Sequence, residues 1–451
     1  MKTKSYLLLT ALGFLSSSLF AQDYLVSTPN TSLLIEATPG ETVKIQYYGS
    51  KIENSDIQGI YDVGMVFNAD SYPAFGLQTM GEKAIAATQP DGNMSLDLKI
   101  EQVKQYPTKD GEVTEILLKD KVYPFEIKQY YKAYQGTDII STWIEIMNNG
   151  KKSVTLYRFV SAYLPVQRGD NWLTHFHGHW GAENMLEEEK LTNGQKVISN
   201  KDGMVNTETD NPSFMLSIDG KPQEEYGHIL GGTLAWTGNY LLKMDITNTK
   251  LNIIAGINEE NSHYKLEPKE TFKTPEFAMT YSTSGKGGVS RAFHRWARMY
   301  KLSHGNVERD ILLNSWEGVY FKVNQEGMDQ MMKSFSALGG ELFVMDDGWF
   351  GKRNNDKSSL GDWFVNTDKL PGSLKGLSEK VDKLGMSFGL WVEPEMISED
   401  SDLFRKHPDW ALRIQGREMH EGRNQYVLDM GRDDVVAYLT DVFTAVLGSA
   451  D

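Results

Sequence analysis

Near residue 284 the chain changes rhythm, and few architectures accommodate what stands on either side. Up to Ser284, short segments of alternating apolar and polar residues are cut by turn residues. "TVKIQYY" sets Val43, Ile45 and Tyr47 on one face, and "YLLKMDITNTKLNIIAGI" reads as two strands about a turn. "STWIEIMNNGKKSVTLYRF" reads likewise, as a hairpin about Asn148-Asn149-Gly150, because Asn and Gly tolerate the left-handed backbone of a tight turn. Many strands with little helical periodicity predict a large antiparallel β-sandwich over residues 22–284. From Ile311 the apolar runs are continuous and take turns with helical stretches. "ILLNSWEGVYF" precedes a helix carrying Met328, Met331, Met332, Phe335 and Leu338 and ended by Gly339-Gly340. "ELFVMDD" precedes one carrying Leu374, Leu377, Val381 and Leu384 and ended by Gly385, and "SFGLWVEPE" follows. That alternation predicts parallel βα units over residues 311–451. Between the two textures, residues 285–310 with "GKGGVSRAFHRWARMYKL" read as a linker helix. The methionines at helical spacing are core residues.

The first residues, "MKTKSYLLLTALGFLSSSLFAQD", give Lys2 and Lys4, an apolar run from Tyr6 to Phe20, and a small residue, Ala21, before polar sequence. This is the pattern of a secretory signal peptide over residues 1–21. A membrane anchor needs roughly 20 apolar residues, and Ser16, Ser17 and Ser18 interrupt this run. The chain contains no cysteine, so an exported protein of this sequence relies on packing rather than disulfides. A net charge of −15 without a basic block argues against nucleic acid and anionic membrane as partners. A periplasmic or secreted protein is the expectation.

In parallel βα architectures, ligands bind beyond the carboxyl ends of the strands, where side chains escape the packed core. Each apolar run here ends in polar and aromatic residues: Asn314, Trp316 and Glu317; Asp346, Asp347 and Trp349; Trp391, Glu393 and Glu395. An acid at one strand end is most often a helix cap or turn residue. Recurrence at three successive ends points to a site. Carboxylates accept hydrogen bonds from hydroxyls, indole faces cover the C–H surface of a sugar ring, and an arginine such as Arg423 donates to ring hydroxyls. The combination suits a carbohydrate; a Mg²⁺ or Ca²⁺ site would leave the tryptophans without a role. Glu393 and Glu395 on one strand cannot flank a bond from opposite sides, which weighs against them as a catalytic pair. In "HFHGHW", His175, His177 and His179 alternate as a metal site on one strand face requires. However, the nearest acid following them is Glu183, and Gly178 suggests a turn that disperses the rings. A polar strand face is the better reading.

Five stretches carry a resemblance: "LLNSWEGVYF", "FVMDDGWFGKRNND", "SLGDWFVNTDKLPGSLKGL", "FGLWVEPEMISEDSDLFRKHPDW" and "GRNQYVLDMGRDDV". In order and spacing they resemble the α-galactosidases of glycoside hydrolase family 36, the melibiase type, from about Ile311 onward. The β-rich half is similar to that family's N-terminal supersandwich. The resemblance implies a (β/α)₈ TIM barrel as the second domain, retaining hydrolysis of terminal α-linked galactose from melibiose and raffinose-type oligosaccharides, and no metal or organic cofactor. By motif, Asp346 and Asp347 look like the pair accepting hydrogen bonds from galactose hydroxyls. Trp316 and Trp391 look like pocket walls, Arg423 like the arginine of the subsite, and Trp180 like a tryptophan that the sandwich extends over the pocket. "SYPAFGLQT" is similar to a loop that reaches a neighbour's active site in tetrameric members, without the acid expected shortly after Phe75; a homo-oligomer is within what the resemblance allows.

In that family the nucleophile lies in a Lys-Trp-Asp motif on the next barrel strand and the acid/base aspartate further on. Both are expected beyond Asp451. Three βα units, or four if "QYVLDM" counts as a strand, cannot close a barrel, so the sequence reads as the first part of a longer protein, inactive by itself. A non-catalytic sugar-binding protein is the rival of a different class. An α-N-acetylgalactosaminidase or a raffinose-type galactosyl transferase is the nearest rival among enzymes.

Overall fold

The structure, a computed structural model, describes residues 22–76, 81–204 and 210–450. Residues 1–21, which the sequence reads as a signal peptide, lie outside the described residues, as do residues 77–79 of "SYPAFGLQT". The chain divides into one unit running to Asn306 and another from Val307.

In the first unit a ten-stranded antiparallel sheet begins as a meander of Leu98–Thr108, Gly111–Asp120, Phe125–Tyr134 and Ile140–Asn148. It continues through Phe277–Ser282, Ile229–Leu234, Asp210–Ser217, Trp172–His179 and Ala182–Lys190, and its tenth strand, Thr271–Lys273, also pairs with Ile140–Asn148. A second sheet pairs Ala162–Val166, Leu251–Ile257, Tyr240–Ile246 and Gly194–Asn200. Alternation along the strands aims one face of each sheet inward. Ile116, Ile127, Ile144 and Phe277 from the large sheet therefore share a core with Leu164, Leu242, Met244 and Ile253 from the smaller one. This is the sandwich that the sequence predicts, and "YLLKMDITNTKLNIIAGI" forms its hairpin as expected.

Two local readings need correction. The face of Val43, Ile45 and Tyr47 is broken by a β-bulge, since Leu34 pairs with Tyr47 and Ile35 with Ile45, leaving Gln46 as the extra residue. A bulge flips the phase of every residue beyond it, so Tyr48 rather than Tyr47 enters the core. The buried Gln46 amide is satisfied, donating to Glu36 Oε2 at 2.5 Å and accepting from Asn68 N at 3.1 Å. Nor does Asn148-Asn149-Gly150 close a hairpin. Ile140–Asn148 lies in the ten-stranded sheet, whereas Val154–Phe159 pairs with Ile85–Thr88 and Tyr264–Leu266. The turn is a corner between sheets, held by Asn148 Nδ2 donating to the carbonyls of Lys152 and Leu266 at 2.9 and 3.0 Å.

The helix Gly285–Trp296 also belongs to this unit. It buries Ala292 and Trp296 with Tyr134, Ile139 and Ala278.

In the second unit Leu312–Asn314, Leu342–Met345 and Ser387–Leu390 form a parallel three-stranded sheet in that order. The helices Gln325–Ala337 and Ser373–Lys383 make the crossovers. Asn324 caps the first, its side chain accepting from Gly327 N. Gly339 at φ 88° and Gly385 at φ 76° provide the left-handed residues that end them. Met328, Met332, Leu374, Leu377 and Val381 cover Phe343 and Met345 of the central strand.

The expected strand "ILLNSWEGVYF" stops at Asn314, because a helical turn, Trp316–Val319, takes over. Leu338 falls past the last helical turn and is 86% exposed, not on the packed face. The two-residue strand Tyr426–Val427 in "QYVLDM" pairs antiparallel with Met396–Ile397, so it is not a fourth parallel strand. The closing helix Asp433–Gly448 buries Val435, Leu439 and Val446.

Candidate active site

The strand Leu342–Met345 ends by passing its chain under Ser315, whose Oγ accepts from Asp346 N at 3.0 Å. Asp346 then folds back: its Oδ1 accepts from Asp347 N at 2.7 Å and its Oδ2 from Asn314 Nδ2 at 2.5 Å. Asn314 holds the neighbouring strand end as well, since its Oδ1 accepts from Trp316 N at 2.7 Å. Trp391 joins from the third strand through its backbone N–H, which donates to Met345 O at 2.9 Å. Asp346, Asp347, Trp316 and Trp391 are thereby brought together at the carboxyl ends of three adjacent strands.

Asp347 has a partner that sequence reasoning missed. Arg353 is fully buried and donates Nε to both carboxylate oxygens at 3.0 and 3.1 Å and Nη2 to Oδ2 at 2.9 Å. Its Nη1 donates to Ser358 O at 3.0 Å, and its guanidinium lies 5.3 Å from the Phe321 ring centre. Lys369 was missed too. Its Nζ donates to the carbonyls of Gly348, Arg353 and Phe321 at 2.7, 2.7 and 3.2 Å, which pins the loop after the acid pair. Burial holds the Lys369 amine below its ordinary value, with the Asp347 charge pulling the other way. Nothing in one sequence marks which of the charges in "GKRNND" folds inward.

Indoles form the floor. Trp349 is fully buried and donates Nε1 to Trp391 O at 3.0 Å, and Trp363 stands 6.4 Å from Trp391, centre to centre. Trp316 meets Phe321 edge-on at 5.0 Å. Arg423 sits with Asn424 at the centre of a tight turn closed by Gly422 and Gln425. Both central residues have positive φ, 54° and 62°, the pattern of a type I′ turn, and Arg423 is exposed at its tip. Its charge reaches Glu393, whose carboxyl is pushed up by burial, drawn down by Arg423 and raised again by Glu395. Glu393 Oε2 is buried without a hydrogen-bond partner among the described residues, while Glu395 is exposed. Asp362, by contrast, is a capping acid that accepts from Asp402 N and Leu403 N.

Trp180 lies in the first unit, 82% exposed between the strands Trp172–His179 and Ala182–Lys190. Of the histidines beside it, His175 is buried 3.1 Å from Glu189, His177 is 2.7 Å from Glu187, and His179 contacts the Trp180 carbonyl. The acids come from the paired strand, which sequence distance hid. Among the described residues no group of histidines and acids is arranged to hold a metal ion.

A sandwich followed in sequence by parallel βα units, with clustered acids and indoles at the strand tips, is the architecture of a carbohydrate-active enzyme. Residues 41–267 match the family model of the glycosyl hydrolase family 36 N-terminal domain, and residues 271–451 match that of melibiase. The chain belongs to glycoside hydrolase family 36, and its second unit is the first part of a (β/α)₈ barrel. It is 35% identical over 398 residues to alpha-galactosidase AgaA of Geobacillus stearothermophilus, covering 84% of this chain and 54% of that protein. Alpha-galactosidase Mel36A of Lactobacillus acidophilus is 31% identical over 453 residues, 93% of this chain and 62% of the relative. The crystal structure of AgaA superposes with a TM-score of 0.88 at 31% identity, covering 95% of this chain and 64% of that one. A variant of AgaA solved in complex with stachyose gives 0.87 with the same coverage. The chain thus spans between about half and two thirds of the length of these relatives.

Proposed function

We propose that the protein hydrolyses terminal α-linked galactose from oligosaccharides of the melibiose and raffinose type, with retention of configuration, and that this chain contributes the sugar-holding part of the site. The acid pair carries the reading. Asp346 and Asp347 sit side by side in a polar frame that fixes both carboxylates while leaving part of their acceptor capacity unused. Fixed acceptors discriminate strongly between sugars, because a missing hydroxyl leaves a buried oxygen without its partner. Trp316 and Trp391 supply apolar walls, and Arg423 donates to the sugar from its turn.

Retaining hydrolysis needs a nucleophile and an acid/base with carboxyl groups about 5 to 5.5 Å apart on opposite sides of the bond. We assign neither role within this chain. Asp346 and Asp347 are neighbours already committed to Asn314 and Arg353, and Glu393 and Glu395 flank a single proline. AgaA is an alpha-galactosidase, and variants of it have been solved in complex with stachyose and with raffinose, which supports galactosides as the substrate class.

The test has two arms. Produced from its full reading frame, the protein should release nitrophenol from an α-galactoside and not from an α-N-acetylgalactosaminide. The chain itself should bind galactose in calorimetry and lose that binding on Asp346→Asn. Preference for the acetamido sugar, or galactose binding indifferent to Asp346, would overturn the proposal. The basic start and apolar run before Ala21 support export; recovery of periplasmic or secreted protein beginning at Gln22 would verify it.

A further inference from the structure

We infer that Arg353 determines specificity as a positioning residue, by fixing how many hydrogen bonds Asp347 can accept from a sugar. The inference rests on the galactoside reading of the site. An ionised carboxylate offers about four lone-pair directions. Arg353 brings two N–H groups to Asp347, Nε–H shared between both oxygens and Nη2–H to Oδ2, so Oδ2 is contacted twice and the room left for a ligand lies chiefly on Oδ1. Asp346 gives one direction to Asn314 Nδ2 and one to the Asp347 N–H, leaving about two. The neighbouring acids are therefore unequal: Asp346 has one donor on each oxygen and stays open at both, whereas Asp347 is doubly occupied at Oδ2 and reads a sugar chiefly through Oδ1.

The guanidinium cannot relax away from that task. It is completely buried, its Nη1 is tied to Ser358 O, and its own carbonyl is held by Lys369. A planar fork imposes an orientation on the carboxylate that a lysine ammonium, a point charge on a flexible stem, does not. Arg353 touches no substrate; it acts through Asp347.

The experiment compares galactose with 4-deoxygalactose and 6-deoxygalactose by calorimetry on the chain and on Arg353→Lys, with melting temperature read alongside. The unaltered chain should bind galactose at least tenfold more tightly than one of the two analogues, the one lacking the hydroxyl that Asp347 accepts. In Arg353→Lys that ratio should fall to within about twofold, while affinity for the analogue itself stays within about threefold. Should Arg353→Lys not fold, Arg353→Gln takes its place, because a side-chain amide still donates to Asp347. A uniform weakening toward all three sugars, with the ratio intact, means Arg353 is only structural and overturns the inference. If the unaltered chain binds none of them, the galactoside reading falls, and the Asp347 carboxyl ¹³C resonance then decides the positioning role. A resonance unchanged by Arg353→Lys overturns it, and a shifted or broadened one sustains it.

Discussion

Lys369 Nζ lies 2.7 Å from the backbone carbonyl of Arg353, so the residue that grips Asp347 is itself gripped from behind. The same ammonium also serves the carbonyls of Gly348 and Phe321. Replacing it with methionine keeps the aliphatic stem and strands three carbonyl groups. Lys369→Met should lower stability by about 2–3 kcal/mol, the range for losing charge-assisted hydrogen bonds in a part-buried setting, measurable by urea unfolding.

The two adjacent acids should respond differently to neutralisation. Asp347→Asn leaves the buried Arg353 charge without its counter-ion, a loss of about 3–5 kcal/mol. Asp346→Asn keeps an acceptor for the Asn314 amide and should cost about 1 kcal/mol. Thermal melts of the two variants give the comparison, and equal losses would remove the asymmetry.

Glu393 supplies a pH signature. Its folded-state value is raised, first by burial, so the folded chain resists ionising a group that the unfolded chain ionises freely. Stability from this residue is intact below the ordinary glutamate value and declines as pH rises above it toward the folded value. Glu393→Gln should therefore leave the melting temperature unchanged at pH 4 and raise it at pH 7. The reverse order would contradict the sign.

At the corner between sheets, Asn148→Ala removes two buried donor contacts and the Oδ1 acceptor for Gly150 N. A loss of about 2 kcal/mol is expected. Asn148→Asp, which cannot donate to the two carbonyls, should lose at least as much.

The sequence made some of this legible because period and punctuation are local. The two textures, the glycine-ended helices and the acids after "ELFVM" can all be read from neighbours in the chain. Gln46 could not, since a bulge exists only relative to the partner strand, here Thr31–Glu36. Asn148-Asn149-Gly150 has hairpin composition, yet none of its residues adopts positive φ, and whether such a turn pairs its flanks depends on strands elsewhere. Arg353 and Lys369 were hidden for a related reason: a charged residue in a loop is solvated by default, and only the folded loop turns them toward Asp347 and three carbonyls. Family resemblance suggested roles for Asp346, Asp347 and Arg423, but not the frame that holds them.

The order of strands in the large sheet also sets a timetable. The meander from Leu98 to Asn148 needs only contacts between chain neighbours and can assemble as soon as it leaves the ribosome. The other side of Ile140–Asn148 is covered by Thr271–Lys273 and Phe277–Ser282, which are synthesised much later. In the interval a four-stranded part of the sheet carries a bare hydrogen-bonding rim along Ile140–Asn148, a hazard for sticking to other nascent chains. Any chaperone that keeps this chain soluble before it closes would do most good while residues 149–276 are being added.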